Sequence, residues 1–331
     1  MKAESVKRQK SSTVLRRLLN EPGCLTTIWG GTAHHAQLAE YAGFKAFGIS
    51  GSKTSSWIYG LPDAGYITQT ELVENVRNIC NAVTIPVIVD ADTGHGNALG
   101  ARRTVELLIK AGAAGCFIED QKAPKRCGFV KGKQLITIEE AVGKYRAVCD
   151  VRNELDPDFI IMARTDARGA VGGSLEQAIE RAKAYQQAGV DVIYAEALQS
   201  REEIKAFRAA IPDILFRATE GAIKPPLTRK EKNELGLCMT SIHAANVATV
   251  AMYDFLMEFK ERHEDAWIDF QERTREHPLG GLGVFDLTGF PEVVKLEEKY
   301  LPSEELEKYS APSLGLYDPH TGRKGQIDEG H

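Results

Sequence analysis

Eight times along this chain, a short apolar, β-branched run is followed by a helical pattern. The runs are Cys24–Trp29, Ala46–Ser50, Pro86–Asp92, Gly115–Asp120, Phe159–Arg164, Asp191–Glu196, Ile214–Ala218 and Leu237–Ser241. The helical patterns that follow them cover residues 34–41, 70–83, 98–111, 138–155, 174–188, 202–210, 228–235 and 246–263. Near-continuous apolar strands need cover on both faces, which a parallel sheet wrapped in helices provides. Eight such units in about 240 residues predict a (β/α)8 TIM barrel. The alternative is an open doubly wound sheet, but no strand exit carries the G-x-G-x-x-G turn of a dinucleotide site. The nearest string, Gly94-His95-Gly96-Asn97, follows two carboxylates that would repel a phosphate.

The expected organisation is a flexible arm over residues 1–12, the barrel over 13–263, a helical extension over 264–310 and a flexible tail over 311–331. The extension holds helical patterns at Ala266–Glu276 and Pro291–Tyr300, parted by Gly280-Gly281-Leu282-Gly283. Helices outside the barrel's own ring are expected to pack on a neighbouring subunit. A net charge of −5 without long basic runs argues against nucleic acid as a partner. No apolar run approaches the roughly 18 residues that span a bilayer, so no membrane partner is expected. Met1–Arg17 is basic and lacks the apolar centre of a secretory signal. The six cysteines are scattered without a C-x-x-C pair, so neither a zinc site nor a disulfide framework is expected, and a reducing cytoplasm fits.

Catalytic groups of such barrels stand at the C-terminal ends of strands. There this chain carries Ser50-Gly51-Ser52, Asp90 and Asp92, Glu119 and Asp120, Arg164 and Asp166, Glu196, then Arg217, Thr219 and Glu220. Asp90 and Asp92, two apart on a strand, are expected on one side of it. With Glu119 and Glu196 they make a ring of hard oxygens. Such a ring either pairs with rim Arg and Lys or holds a cation, and Mg²⁺, with Mn²⁺ as its substitute, suits oxygen ligands. No His pair stands at metal-ligand spacing, which argues against zinc or iron. Arg164 is the natural counter-charge and a bidentate clamp for a carboxylate. Ser50-Gly51-Ser52 offers N–H groups and hydroxyls to a substrate carboxylate. In Lys125-Arg126-Cys127-Gly128 a thiol follows two cations, which is expected to lower its pKa. Asp63 reads as a cap or a supporting acid.

Taken in order, these residues resemble the isocitrate lyase and phosphoenolpyruvate mutase superfamily. The resemblance rests on Ser50-Gly51-Ser52 with Gly60-Leu61-Pro62-Asp63, Val89-Asp90-Ala91-Asp92-Thr93-Gly94-His95-Gly96, Ile118-Glu119-Asp120-Gln121, Lys125-Arg126-Cys127-Gly128 and Met162-Ala163-Arg164-Thr165-Asp166. It runs from residue 13 to about 260. The Lys-Arg-Cys-Gly loop is similar to that of the C–C bond lyases, in particular 2-methylisocitrate lyases and relatives such as dimethylmalate lyase. The resemblance implies an Mg²⁺-dependent barrel that swaps its last helix between subunits of a homotetramer. It implies cleavage of the C2–C3 bond of a 2-hydroxydi- or tricarboxylate to an α-keto acid and a carboxylate. Asp90 becomes the principal metal carboxylate, with Asp92 and Glu119 acting directly or through water. Ser50, Gly51 and Ser52 take the α-carboxylate end, Arg164 clamps the substrate and Glu196 supports the mouth. Residues 122–133 become a lid carrying Cys127, the proton donor, flanked by Lys125 and Gly128.

Three departures fall in the half of the site that chooses substrate. Phe129 stands where the lyases carry His, Arg217 where methylisocitrate lyases carry Asn, and Ser241-Ile242-His243 replaces a Pro-Leu-Ser segment. Arg217 and Ser241 are therefore candidates for the distal part of the substrate, with Arg217 either binding an additional carboxylate or turned outward. The alternatives are an oxaloacetate-type hydrolase or decarboxylase, a phosphonate mutase or hydrolase, and a binding protein with a degraded site.

Overall fold

The structure is a computed structural model that describes residues 9–311 and 315–322. Eight strands form one parallel sheet: β1 Leu25–Gly30, β2 Phe47–Ile49, β3 Val87–Asp90, β4 Gly115–Glu119, β5 Ile160–Thr165, β6 Val192–Ala195, β7 Leu215–Ala218 and β8 Met239–Ile242. Each strand pairs with its sequence neighbours, and β8 returns to pair with β1. Between β7 and β8 the ladder narrows to one bridge, Phe216 to Leu237, where the Cys238 N–H donates to the Phe216 carbonyl at 2.8 Å. The result is a nearly closed (β/α)8 barrel. The strands are short and buried on both faces, hence their near-continuous apolar sequences.

Strand–helix joints are set by local chemistry. Thr68 and Glu71 form a reciprocal capping box, and Thr228 and Glu231 form another. Thr137, Ser174 and Ser200 each accept from the N–H three residues on. Trp29, Ile88, Phe117, Met162, Tyr194 and Met239 pack inside the barrel.

Two helices fall outside the expected strand–helix units. Residues 1–8 of the expected arm lie outside the described residues, but Ser11–Asn20 is a helix. Its Leu15 and Leu19 join the cluster inside the barrel, Ser12 donates to Asp156 at 2.7 Å and Arg16 pairs with Asp191 at 2.9 Å. The second, Gly51–Tyr59, starts directly after β2 with Gly-Ser-Lys-Thr-Ser-Ser, of which all but Lys53 have weak helix propensity.

The chain divides into two compact units after Ala245. The second holds most of the helix Ala244–Arg262 and the helices Glu264–Arg273, Val284–Thr288, Phe290–Tyr300 and Ser303–Leu306. Phe255, Trp267 and Phe270 cluster there, with ring centres 5.3 to 6.1 Å apart. Along Ala244–Arg262 the exposed side chains include Val247, Val250, Tyr253 and Leu256, an apolar row at helical spacing. Of the expected tail, residues 312–314 and 323–331 lie outside the described residues. No helix among the described residues is long and apolar enough to cross a membrane.

Candidate active site

The strand ends bring most of the predicted residues to one mouth. Asp90 ends β3, and its two oxygens accept from the Gly51 and Asp92 N–H groups, each at 3.1 Å. Asp92 is not on the strand. It sits in the following turn at φ 51°, so the turn rather than the strand's two-residue period brings it beside Asp90. Both carboxylates converge over Gly51: a Cβ there would stand 3.1 Å from Asp90 Oδ2 and 3.2 Å from Asp92 Oδ1. Gly51 is thus required by close approach, and Ser50 before it is the N-cap of the Gly51–Tyr59 helix. The Ser50 and Ser52 hydroxyls lie 3.0 Å apart at that helix N-terminus.

Lys125 reaches into this acidic group. Its ammonium is 4% exposed, bonds Asp63 and stands 2.8 Å from Asp92 Oδ1. Burial alone would lower its pKa, but Asp92, Asp90, Glu119 and Asp63 together raise it, so the ammonium stays charged. Burial pushes Asp92 up to about 6 against the pull of Lys125. Asp63, read from the sequence as a cap or a support, is the second anchor of Lys125.

Glu119, at the end of β4, is fully buried, and burial raises its pKa well above the carboxylate range although Arg164 opposes this. One of its oxygens lies 3.3 Å from Arg164 Nη1, and the other, Oε1, is buried without a hydrogen-bond partner. Arg164 on β5 uses its fork on Asp166 rather than holding it open, donating from Nε and Nη2 at 2.9 and 3.0 Å. Lys133 also stands 3.1 Å from Asp166, and the two cations hold that carboxyl below its ordinary pKa despite complete burial. Glu196, just past β6, accepts from Tyr194 at 3.0 Å and Thr219 at 2.6 Å, and lies 3.7 Å from Arg164.

The loop of residues 122–133 lies over this group. Its Gly128 approaches so closely that a Cβ would stand 2.6 Å from Arg164 Nη2 and 2.9 Å from Glu196 Cδ. Lys133 donates to the Gly128 carbonyl at 2.5 Å, and the Cys127 N–H donates to the Asp63 carbonyl at 3.2 Å. The expected lowering of the Cys127 pKa does not occur. Burial raises it, the Phe129 N–H and Lys125 lower it less, and Asp63 raises it further. The thiol therefore keeps its proton at neutral pH. Phe129 is 73% exposed, its ring lying against Gly221 in the loop after β7.

Arg217 on β7 turns inward and donates to Ser241 Oγ on β8 at 2.6 Å. Three participants escaped the sequence reading: Lys133, Tyr194 and Trp29. The available signal was position. Tyr194 stands two residues before Glu196, and Trp29 one before the end of β1, both on inward-facing sites of their strands.

Among the described residues, no three His, Cys, Asp or Glu side chains stand together so as to enclose a metal. The convergence of Asp90 and Asp92 over Gly51 and the unpartnered Glu119 oxygen fit a hard divalent cation held by two carboxylates and water.

The model of the phosphoenolpyruvate phosphomutase family matches residues 15–262. The chain is 36% identical to 2,3-dimethylmalate lyase of Eubacterium barkeri over 86% of this chain and 96% of that one. It is 41% identical to 2-methylisocitrate lyase of Aeropyrum pernix, covering 82% and 88% respectively. Among solved structures, a phosphonopyruvate hydrolase complexed with oxalate and Mg²⁺ superposes with a TM-score of 0.76 at 28% identity, covering 89% of this chain and all of that one.

Proposed function

This chain belongs to the phosphoenolpyruvate phosphomutase family, and we propose that it cleaves the C2–C3 bond of a 2-hydroxydi- or tricarboxylate of the 2-methylisocitrate or dimethylmalate type. It is a carbon–carbon lyase, like the relatives it matches. The observation that carries the substrate class is the placement of a protonated thiol, Cys127, on a loop pinned over a carboxylate cradle.

Asp90 and Asp92 would hold Mg²⁺ (or Mn²⁺), with Glu119 acting through water. When bound, the ion supplies Lewis-acid polarisation of the substrate's oxygens. Ser50, Gly51 and Ser52, at a helix N-terminus, orient the α-carboxylate. As the 2-hydroxyl gives up its proton to solvent and the C2–C3 bond breaks, C2 becomes the keto carbon and the electron pair moves to C3, beside its carboxylate; the proton released balances the one that later restores the Cys127 thiol. That carbanion is too basic to leave unassisted. Cys127 gives its proton to C3, and the Arg164 guanidinium, braced by Asp166, faces the negative charge as it develops. Lys133, holding the Gly128 carbonyl, keeps the loop down and water out. Lys125 holds Asp63 and Asp92 in place beneath that loop.

The apolar row on Ala244–Arg262 supports a helix exchanged between subunits and a homotetramer. Six free thiols support a cytoplasmic enzyme without disulfides. The decisive assay follows keto-acid release from 2-methylisocitrate, 2,3-dimethylmalate, oxaloacetate and phosphonopyruvate, with Mg²⁺ and with EDTA. We expect Mg²⁺-dependent keto acid from the hydroxyacids. Turnover of phosphonopyruvate or oxaloacetate alone would move the chain to a mutase or hydrolase reaction. Silence on all four would favour a binding protein.

A further inference from the structure

Two guanidinium groups stand on one aromatic floor inside the barrel mouth, and they are not equivalent. Arg164 lies 5.3 Å from the Tyr194 ring centre and 5.8 Å from that of Phe117, and Asp166, Glu119 and Glu196 surround it. Arg217 lies closer to the floor, 4.0 Å from Tyr194, 4.7 Å from Trp29 and 5.5 Å from Phe117. It is 5% exposed, and among the described residues no carboxylate pairs with it. Nη2 is spent on Ser241, while Nη1 is buried without a hydrogen-bond partner.

A buried cation with an unmade hydrogen bond is costly, and the rings offset only part of that cost. The group faces a cavity of about 310 Å³ also lined by Phe129, Thr219, Lys224, Ser241 and His243. Glu220, the acid of this lining, is held by Lys232 at 2.7 Å and so does not neutralise Arg217. His243 Nδ1 is a second buried polar atom without a partner. Burial, and after it the Arg217 charge, pushes that imidazole down to about 4, leaving it neutral at pH 7. With Glu220 taken by Lys232, the cavity leaves Arg217 with one open donor and no unpaired carboxylate in the lining to meet it, and Lys224 adds a second positive charge.

We propose that Arg217 receives a third substrate carboxylate, carried on the C3 substituent, so that the site selects tricarboxylates over dicarboxylates. This rests on the lyase reading above. The two carboxylates common to all 2-hydroxydiacids already have their places, one at the Ser50–Ser52 turn and one facing Arg164. Arg217 stands on β7, across the barrel from β3, where only a further arm of the substrate reaches. A guanidinium, planar and permanently charged, binds a carboxylate far better than a methyl group in its place.

The test compares 2-methylisocitrate with 2,3-dimethylmalate, which has a methyl group where the former has a carboxymethyl. Wild-type enzyme with Mg²⁺ is expected to favour the tricarboxylate by about tenfold or more in kcat/KM, chiefly through KM, and Arg217→Gln to lose that preference. Equal preference in both proteins, or a wild-type preference for the dicarboxylate, overturns the proposal. Calorimetric titration of wild type with succinate and with butyrate, repeated on Arg217→Gln, which should lose any difference between them, needs no turnover. Succinate binding about tenfold tighter supports the assignment, and equal affinities overturn it. If neither hydroxyacid is cleaved, the lyase reading falls, while this titration still decides what Arg217 binds.

Discussion

Replacing Gly128 with Ala tests whether the loop of residues 122–133 must lie down for turnover. Gly128 has no positive φ, so the added methyl brings no backbone strain of its own. What it meets is the site: Arg164 Nη2 at 2.6 Å, Glu196 Cδ at 2.9 Å and Glu196 Oε1 at 3.0 Å, where ordinary contact starts at 3.4 Å. Neither partner can yield freely. Arg164 is forked onto Asp166, and Glu196 is held by Tyr194 and Thr219. The loop must therefore rise by the better part of an ångström, carrying Cys127 with it. A misplacement of that size costs roughly 100-fold in rate. Most of the loop is exposed, so the barrel beneath it should melt cooperatively with only a modest loss of stability. The assay is steady-state keto-acid release beside a thermal melt: kcat should fall on the order of 100-fold while the protein still melts in one cooperative step. A Gly128→Ala enzyme with wild-type kcat would refute the reasoning, because the contacts over Arg164 and Glu196 would then play no part in turnover.

Further outcomes follow from the same geometry. Cys127→Ser should lose about 100- to 10,000-fold in turnover with little change in melting, because the proposed proton donor is removed from a partly exposed loop. Since burial raises the Cys127 pKa from 9.0, the extra iodoacetamide uptake of wild type over Cys127→Ser should be slow at pH 8 and climb only above pH 9, and rapid labelling at pH 7 would count against it. Lys125→Met should cost about 3–5 kcal/mol in urea unfolding without metal, because it leaves Asp63 and Asp92 facing each other in a buried site. His243 is the pH reporter. Its folded pKa of about 4 lies below the ordinary 6.5, so the unfolded chain binds the extra proton and stability falls as pH drops through that window. In Arg217→Gln its NMR titration midpoint should move upward, since one of the two leading causes of the lowering is gone.

The barrel was legible because parallel strands are covered on both faces, and the eight apolar runs match the eight strands to within a few residues. The helices at Ser11–Asn20 and Gly51–Tyr59 were not, for different reasons. The first carries Leu15, Leu18 and Leu19 at helical spacing, but it is short and precedes the first strand, and its partners Asp156 and Asp191 lie far along the chain. The second is a run of Ser, Thr and Lys kept helical by its place after β2. At the mouth, strand ends alone brought out Asp90, Glu119, Arg164, Glu196 and Arg217. The turn that sets Asp92 beside Asp90, and the reach of Lys125 and Lys133 into buried carboxylates, depend on chain segments far apart in sequence.

By itself the sequence determined the number and order of strand–helix units, and with them which side chains stand at the barrel mouth. Both follow from burial of the strands on two faces and from the regular alternation of strand with helix. Tertiary structure alone decided the charges. Burial beat the neighbouring cations at Cys127 and kept its proton on, whereas converging carboxylates beat burial at Lys125 and kept it an ammonium. It also decided that Arg164 would be satisfied from within while Arg217 was left open. Those outcomes turn on distances of a few ångströms between groups brought together from different strands, and no spacing along the chain records them.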